Sequence, residues 1–402
     1  MYDLIVIGGG AAGFFGAITA AETSGLNVLI LEKSSQLLQK VKISGGGRCN
    51  VTHDCFDPKQ LSKHYPRGEK SLIGPLHRWG AADTVEWFAS RGVELKTESD
   101  GRMFPITDSS QTVIECLINT ANNAGIEIQT STGVKEITKT ENGEYSLLTD
   151  HGDTLSTRNV LIATGGTRLA AGAKLATMLD HSLEPAVPSL FTFKITDSRI
   201  ADLSGLSVAH TEITIPNSKL SSEGPLLITH WGVSGPGILR ISAWGARELY
   251  DLNYKFQIVV NWLPDQEVSS TFTDLRNSAG KRQIHKRSPF AEIPKRLWSR
   301  LATRAGITDT AIWSQLSKVQ TNALIDQLTK CTFQVQGKSI NKDEFVTCGG
   351  VPLHEINLKT MESKLHQGLY FAGEVMNVDG ITGGFNFQNA WTSGHLAGSN
   401  IV

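Results

Sequence analysis

Leu4-Ile5-Val6-Ile7-Gly8-Gly9-Gly10-Ala11-Ala12-Gly13 decides the fold. Its first four residues are an unbroken apolar run, the pattern of a strand buried on both faces, and the run stops at Gly8. Ala11 to Thr23 then repeats Ala, Phe and Ile at helical spacing, with Gly25 placed to cap the end. Val28-Leu29-Ile30-Leu31 reads as a second buried strand closing on Glu32, which completes a βαβ unit. Between strand and helix, Gly8, Gly10 and Gly13 form GxGxxG. The first glycine permits the tight turn, the second lets backbone approach a pyrophosphate, and the third lets helix pack on strand. The helix N-terminus offers free N–H groups and a positive dipole end to the phosphates. Glu32, about twenty residues on, is placed to accept from an adenosine ribose.

Outward from this unit, Val113 to Asn123 reads as a helix stopped by Gly125, and Ile126 to Thr130 as the next strand. Val134 to Lys139 and Glu144 to Leu148 alternate around Asn142-Gly143, a hairpin signal, and Asp150 to Asp153 is a second turn. Val160 to Ala163 returns as a buried strand ending in Thr164-Gly165-Gly166. From Ser189 the style changes to short strands with Pro and Gly turns, including Val208 to Ile215 and Phe256 to Trp262, and Glu292 to Leu328 is helical in pattern. Leu369 to Ala372 and a helix from about Asn386 go back to the first style, so the chain carries an insertion.

The GxGxxG fingerprint serves NAD and FAD alike, and two further glycine clusters point to the longer cofactor. Lys40 to Asn50 contains Gly45-Gly46-Gly47, a bare backbone whose N–H groups can face a polar ligand. Gly373-Glu374 follows a strand, and Gly380-Ile381-Thr382-Gly383-Gly384-Phe385-Asn386 leads into the last helix. Glu374 is placed for ribityl hydroxyls, and the helix start would aim its dipole at the ring edge where charge collects on reduction.

Composition bounds the rest. The formal charge of −1 over 402 residues argues against a globally basic nucleic-acid binder or a protein steered to an anionic membrane. Five cysteines with no CxxC pair and no metal-ligand spacing fit a reduced chain with no metal centre. No apolar run approaches a membrane span, and the chain begins at once with a strand pattern, which places it in the cytoplasm.

Ser44-Gly45-Gly46-Gly47-Arg48-Cys49-Asn50, Asp100-Gly101-Arg102-Met103-Phe104-Pro105, Ala163-Thr164-Gly165-Gly166, Thr229-His230-Trp231-Gly232-Val233-Ser234-Gly235-Pro236, Thr360 to Lys364 and Gly368 to Asn389 together resemble the aminoacetone-oxidase-like family of NAD(P)/FAD-dependent oxidoreductases. The resemblance covers nearly the whole chain. It implies an α/β fold: a glutathione-reductase-like, FAD-binding Rossmann domain (1–188 and 340–402) with an inserted β-barrel domain (189–264 and 329–339) and a small helical domain (265–328). It implies FAD contacts at Gly8, Gly10, Gly13, Glu32, Lys33, Lys40, Ser44, Gly45, Gly46, Gly47, Arg48, Cys49, Asn50, Val134, Ala163, Thr164, Gly165, Gly373, Glu374, Gly383, Gly384, Phe385 and Asn386. The chain departs from the family pattern at Thr167 to Gly172, where relatives carry a longer loop, and at His53, Asn377 and Phe385.

The expected activity is hydride transfer at the flavin, between a small organic substrate or transiently bound NAD(P)H and an acceptor. No second GxGxxG marks a nicotinamide domain. Arg48, Arg102 and His230 are the candidate catalytic groups, each also readable as a structural hydrogen bond or FAD contact. Cys49 has no partner for thiol redox chemistry. A rival reading is an FAD-dependent nucleic-acid (tRNA) modifying protein or an RNA-binding protein. Lys281, Arg282, Lys286, Arg287, Lys295, Arg296, Arg300 and Arg304 could track phosphates, but beyond Trp298 no stacking residue is interleaved among the arginines of 295–304, and a solvated face is favoured. Nucleic acid is therefore not the expected partner.

Overall fold

The computed structural model describes residues 2–166, 171–339 and 346–402. Thr167 to Ala170 of the shortened run, and the expected boundary segment from residue 340, lie outside them. The chain divides into two units, Met1–Val187 with Val346–Val402, and Pro188–Phe345.

In the first unit five strands run parallel: β1 (Tyr2–Ile7), β2 (Val28–Leu31), β3 (Glu127–Gln129), β4 (Thr154–Ile162) and β5 (Leu369–Phe371). Their order across the sheet is β5-β4-β1-β2-β3. Leu4, Ile5 and Val6 are wholly buried, as an apolar run in a doubly covered sheet requires. The expected hairpin forms between Val134–Lys139 and Tyr145–Thr149. Its third strand is longer than the pattern Val160 to Ala163 implied. β4 pairs antiparallel with the hairpin through Thr154 to Thr157 and parallel with β1 through Thr157 to Ile162.

Two helices cover one face, α1 (Ala11–Ser24) and α2 (Phe385–Asn400). They approach through glycine: a Cβ on Gly398 would lie 2.4 Å from the Gly16 carbonyl, and one on Gly394 2.7 Å from that of Ala12. Phe14, Phe15 and Ile18 fill the space beneath, each worth about 1.5–3 kcal/mol in burial. Gly25 takes the left-handed conformation and closes α1 on Ala21, as its position implied. Three short helices between residues 58 and 89 had no clear signal, one of them carrying Pro75 in its interior.

The second unit holds a seven-stranded antiparallel sheet. Its edge strands, Cys331–Val335 and Gly337–Lys338, are separated in sequence only by Gln336, so the sheet curls toward closure. Helices Val268–Ser278, Lys295–Arg304 and Lys318–Thr329 pack beside it. The segment read as a separate helical domain shares one core with the strands: Phe272, Trp298 and Leu328 join Trp262 and Phe333 in a single apolar cluster. Among the described residues no helix is long and apolar enough to cross a membrane.

Candidate functional site

The sheet order reverses direction between β1 and β4: β2 and β3 extend to one side, β5 to the other. Ligands of open α/β sheets sit outside the carboxyl ends of the strands at such a switch point. Residues singled out in the sequence follow these strands. Gly8 follows β1, Glu32 follows β2, Val134 lies beyond β3, Ala163 follows β4, and Gly373-Glu374 follows β5. The turns after β1 and β4 are in close contact, since a Cβ on Gly8 would stand 2.5 Å from the Ala163 carbonyl. Gly8 adopts φ 116°, open only to glycine at low cost.

Gly13 is held to its place by contact: a Cβ there would meet the Gly8 carbonyl at 1.9 Å. Gly10 caps α1 with no side-chain partner, so the first-turn N–H groups remain for a ligand. Glu32 does more than await a ribose. One carboxylate oxygen accepts from Gly9 N at 2.7 Å and the other from Ser34 N at 2.8 Å, which ties the glycine turn to the end of β2. Its remaining lone pairs are free for further donors. Lys33 beside it is exposed.

Lys40 to Asn50 is not a plain loop. Gln39–Gly47 starts as a helix that breaks at Ser44, after which Gly45, Gly46 and Gly47 take φ of 56°, 70° and 86°. Successive left-handed residues turn neighbouring N–H groups toward one side and form an anion-binding nest. All three glycines are exposed. Cys49, by contrast, is fully buried, and burial pushes its thiol up to about 12 against the lowering effect of Ser44. Its contribution is therefore backbone, in keeping with its lack of a thiol partner.

Asn50 joins this loop to the distant glycine turn. With its amide oriented by its partners, the oxygen accepts from Gly384 N at 2.9 Å and the nitrogen donates to Thr52 O at 2.9 Å. Gly384 leaves no room for a side chain, because a Cβ would fall 2.5 Å from the Thr52 carbonyl. Trp391 Nε1 donates to Val51 O and Thr52 Oγ1 to Gln388, so α2 is bolted to the segment after the nest. Asn386 closes the Gly380 turn, accepting from its N–H and donating to its carbonyl. Phe385 stacks against His64 and His53, with ring centroids 4.3 and 4.9 Å away, and its carbonyl accepts from Tyr65. Arg67 pairs with the buried Asp379 and pins the turn from the other side. Neither Arg67, His64 nor Tyr65 carried a sequence signal; Asp379 stood beside the Gly380 string.

Glu374 receives Lys40 at 2.5 Å and accepts from Thr347 N at 2.7 Å. Gly166 lies against the same carboxylate, within 2.8 Å of a virtual Cβ. Thr164 Oγ1 is buried without a partner among the described residues. Gly373 N donates to Ser393 of α2, another contact the sequence did not announce.

Of the candidate catalytic groups, the structure brings Arg48 and Arg102 together. Both pair with Glu98, at 2.6 and 2.8 Å, and both lie over the Phe104 ring. Arg102 also holds Asp100. Hydrogen bonding to Glu98 raises the Arg48 pKa above its already high ordinary value, so this guanidinium keeps its proton. His230 belongs to the second unit, exposed beside Trp231 at the turn between Ser221–Thr229 and Gly232–Ser234. Among the described residues no group of His, Cys, Asp and Glu could hold a metal ion.

A glycine turn with free helix N–H groups, a carboxylate at the end of β2, a second carboxylate after β5 and an unpartnered hydroxyl after β4 fit an extended dinucleotide lying along one sheet edge. The fold and this edge define an FAD-binding oxidoreductase of the Rossmann class. Residues 2–400 match the model of the HI0933-like protein Rossmann domain, and the chain belongs to that family. It is 31% identical over 410 residues to the ribosomal RNA dihydrouridine synthase of Escherichia coli (strain K12), covering 100% of this chain and 98% of the relative. It is 29% identical to the 3-dehydro-bile acid delta(4,6)-reductase of Clostridium scindens, covering 98% and 97%. The solved 3-ketosteroid delta1-dehydrogenase of Sterolibacterium denitrificans shares the fold, with a TM-score of 0.53 at 11% identity over 100% of this chain and 99% of that one.

These findings place the chain in a broader group than the aminoacetone-oxidase-like one, and they correct one expectation. A near-zero net charge was read as disfavouring nucleic acid. Similarity to a relative named for ribosomal RNA overturns that. Net charge averages over the whole surface and says nothing about a local one.

Proposed function

We propose that this chain reduces the C5=C6 bond of uridine in RNA, with NAD(P)H as electron source. Carrying this reading is the similarity to the RNA-acting relative along 100% of this chain and 98% of that one. Uridine and a conjugated steroid ketone share an electron-poor C=C bond beside a carbonyl, so both full-length relatives are named for the same class of bond. FAD, when bound, supplies the two-electron carrier for such a bond. In net terms one NAD(P)H and one proton are consumed for each dihydrouridine formed.

The chain's own residues bind and orient. Gly8, Gly10 and the start of α1 take the pyrophosphate, Glu32 the adenosine ribose, and Glu374 with Lys40 the ribityl chain. Ser44, the nest at Gly45 to Gly47, and Val134, Ala163, Thr164 and Gly165 line the same cofactor. The Gly383-Gly384 entry to α2 faces the ring with its positive end. Arg48 and Arg102, locked by Glu98, hold the nest in shape. His230, on the second unit, is kept as a candidate acid–base group on its sequence context alone. The antiparallel meander between β3 and β4 supports a glutathione-reductase-like arrangement of the cofactor.

The test is to incubate the purified yellow protein with an unmodified ribosomal RNA transcript and NADPH, and to seek uridines heavier by two hydrogens. Anaerobic titration with NADH, NADPH and aminoacetone runs beside it. Bleaching by a nicotinamide donor and appearance of dihydrouridine are expected. Bleaching by aminoacetone alone, with no change in the RNA, would make the protein an amine oxidase. Turnover of a steroid dienone but not of RNA would move it to the bile-acid branch.

A further inference from the structure

Charge in this chain is unevenly placed. Residues 281–309 carry eight cations, Lys281, Arg282, Lys286, Arg287, Lys295, Arg296, Arg300 and Arg304, against Glu292 and Asp309 only. That segment is formally +6, which leaves the other residues at −7 for the total of −1. All eight side chains are exposed. Apart from Arg296, which donates to the Asp202 carbonyl, none makes a side-chain hydrogen bond or ion pair among the described residues.

The fold gathers them on one face. Leu297, Trp298, Leu301 and Ala302 turn the apolar side of helix Lys295–Arg304 into the core. Arg296, Arg300 and Arg304, four residues apart, form a line on the outer side. The preceding loop is fastened along that helix by Trp298 Nε1 donating to Ile284 O at 2.8 Å and by His285 Nδ1 at 3.0 Å from Ser299 Oγ. Lys286 and Arg287 thus flank the arginine line. An intramolecular role for so many cations would require carboxylates: the segment's own two are Glu292, engaged by Gln266, and Asp309, beside His285, and Asp197, which feels Arg304, is paired with Arg199. Trp298 is wholly buried, so the face offers charge without a stacking platform. That combination suits a phosphate backbone and not splayed bases.

We infer that this face of the second unit, helix Lys295–Arg304 with the 281–287 loop, tracks the phosphates of a folded RNA. The inference rests on the RNA reading above and adds where the substrate is held.

The probe is the unmodified ribosomal RNA transcript, with binding to the FAD-loaded protein measured across a salt series. K286E/R300E is compared with K219E/K255E, a charge-matched pair on exposed lysines of the same unit outside the 281–304 segment. K286E/R300E is expected to bind at least about tenfold more weakly, with a salt slope smaller by about two, while the control keeps the wild-type slope. Bound flavin and its bleaching by NADPH should be unchanged in both, which shows that the variants fold. Equal effects from the two pairs, or none, would overturn the face as the RNA surface. If wild type still forms dihydrouridine, that failure is the face's alone. A wild type that neither binds nor modifies the transcript removes both readings. Retention on phosphatidylserine vesicles in place of RNA would assign the face to a membrane instead.

Discussion

The side-chain oxygen of Asn50 accepts a hydrogen bond from the backbone nitrogen of Gly384, 2.9 Å away, across 334 residues of chain. This bond fastens the nest loop to the entry of α2. Asn50→Ala leaves the N–H of half-buried Gly384 without this partner, a cost of about 1 kcal/mol. The expected outcome is a lower unfolding temperature and a protein purified with substoichiometric flavin. A variant with full flavin content would show that the two loops keep their places without the bridge.

Glu32 shapes the glycine turn after β1 by holding Gly9 N and Ser34 N. Glu32→Ala frees both donors and removes the ribose acceptor in one step. FAD affinity should fall by at least about tenfold, since a charged acceptor contributes about 1.5–3 kcal/mol per bond. Equilibrium dialysis of the apoprotein against FAD measures it, and unchanged affinity would remove Glu32 from the site.

Gly398 is where α1 and α2 come closest. A methyl group there would stand 2.4 Å from the Gly16 carbonyl, which is backbone and cannot swing aside. Gly398→Ala should cost about 1–3 kcal/mol by overpacking and lower the denaturant midpoint. A neutral effect would mean the helices slide apart freely.

His395 stacks on Trp79 with centroids 3.7 Å apart, and burial lowers its pKa to about 4 against the opposing pull of Asp83. The unfolded chain binds this proton near 6.5 and the native one only near 4. Stability from the neutral ring is thus complete above about pH 6.5 and is lost as pH falls toward 4. The loss should be about 1–2 kcal/mol after allowing for the ring's partial exposure to solvent. Denaturation curves between pH 7 and 4 should flatten in His395→Gln, and parallel curves would assign the acid sensitivity elsewhere.

Four of the five thiols are buried and Cys55 is half-buried. A thiol reagent should label Cys55 first in the native protein and reach Cys49 only on unfolding. Early labelling of Cys49, located by peptide mass, would show that the nest loop opens.

Much of the first unit was legible because its signals are local. A doubly buried strand must be a continuous apolar run, a strand–helix turn over phosphate must have glycine, and Asn142-Gly143 suits a hairpin turn. The short helices between residues 58 and 89 were not legible. Each is held by packing and by caps such as Asp57, and none is long enough to show a periodic stripe. Arg67, His64 and Tyr65 sit on this stretch and meet the Gly380 turn only in space.

The sequence by itself determined the tight glycine turn from Gly8 to Gly13 and the carboxylate of Glu32 at the end of β2, because steric freedom and charge at those spacings depend on neighbouring residues alone. Tertiary structure decided what the other clusters are. It set Gly8 against Ala163 at the switch point, broke a helix to make the nest at Gly45 to Gly47, and bound Asn50 to Gly384. It also turned scattered lysines and arginines into one face, since only helix phase and the fastening of a loop determine which side chains look the same way.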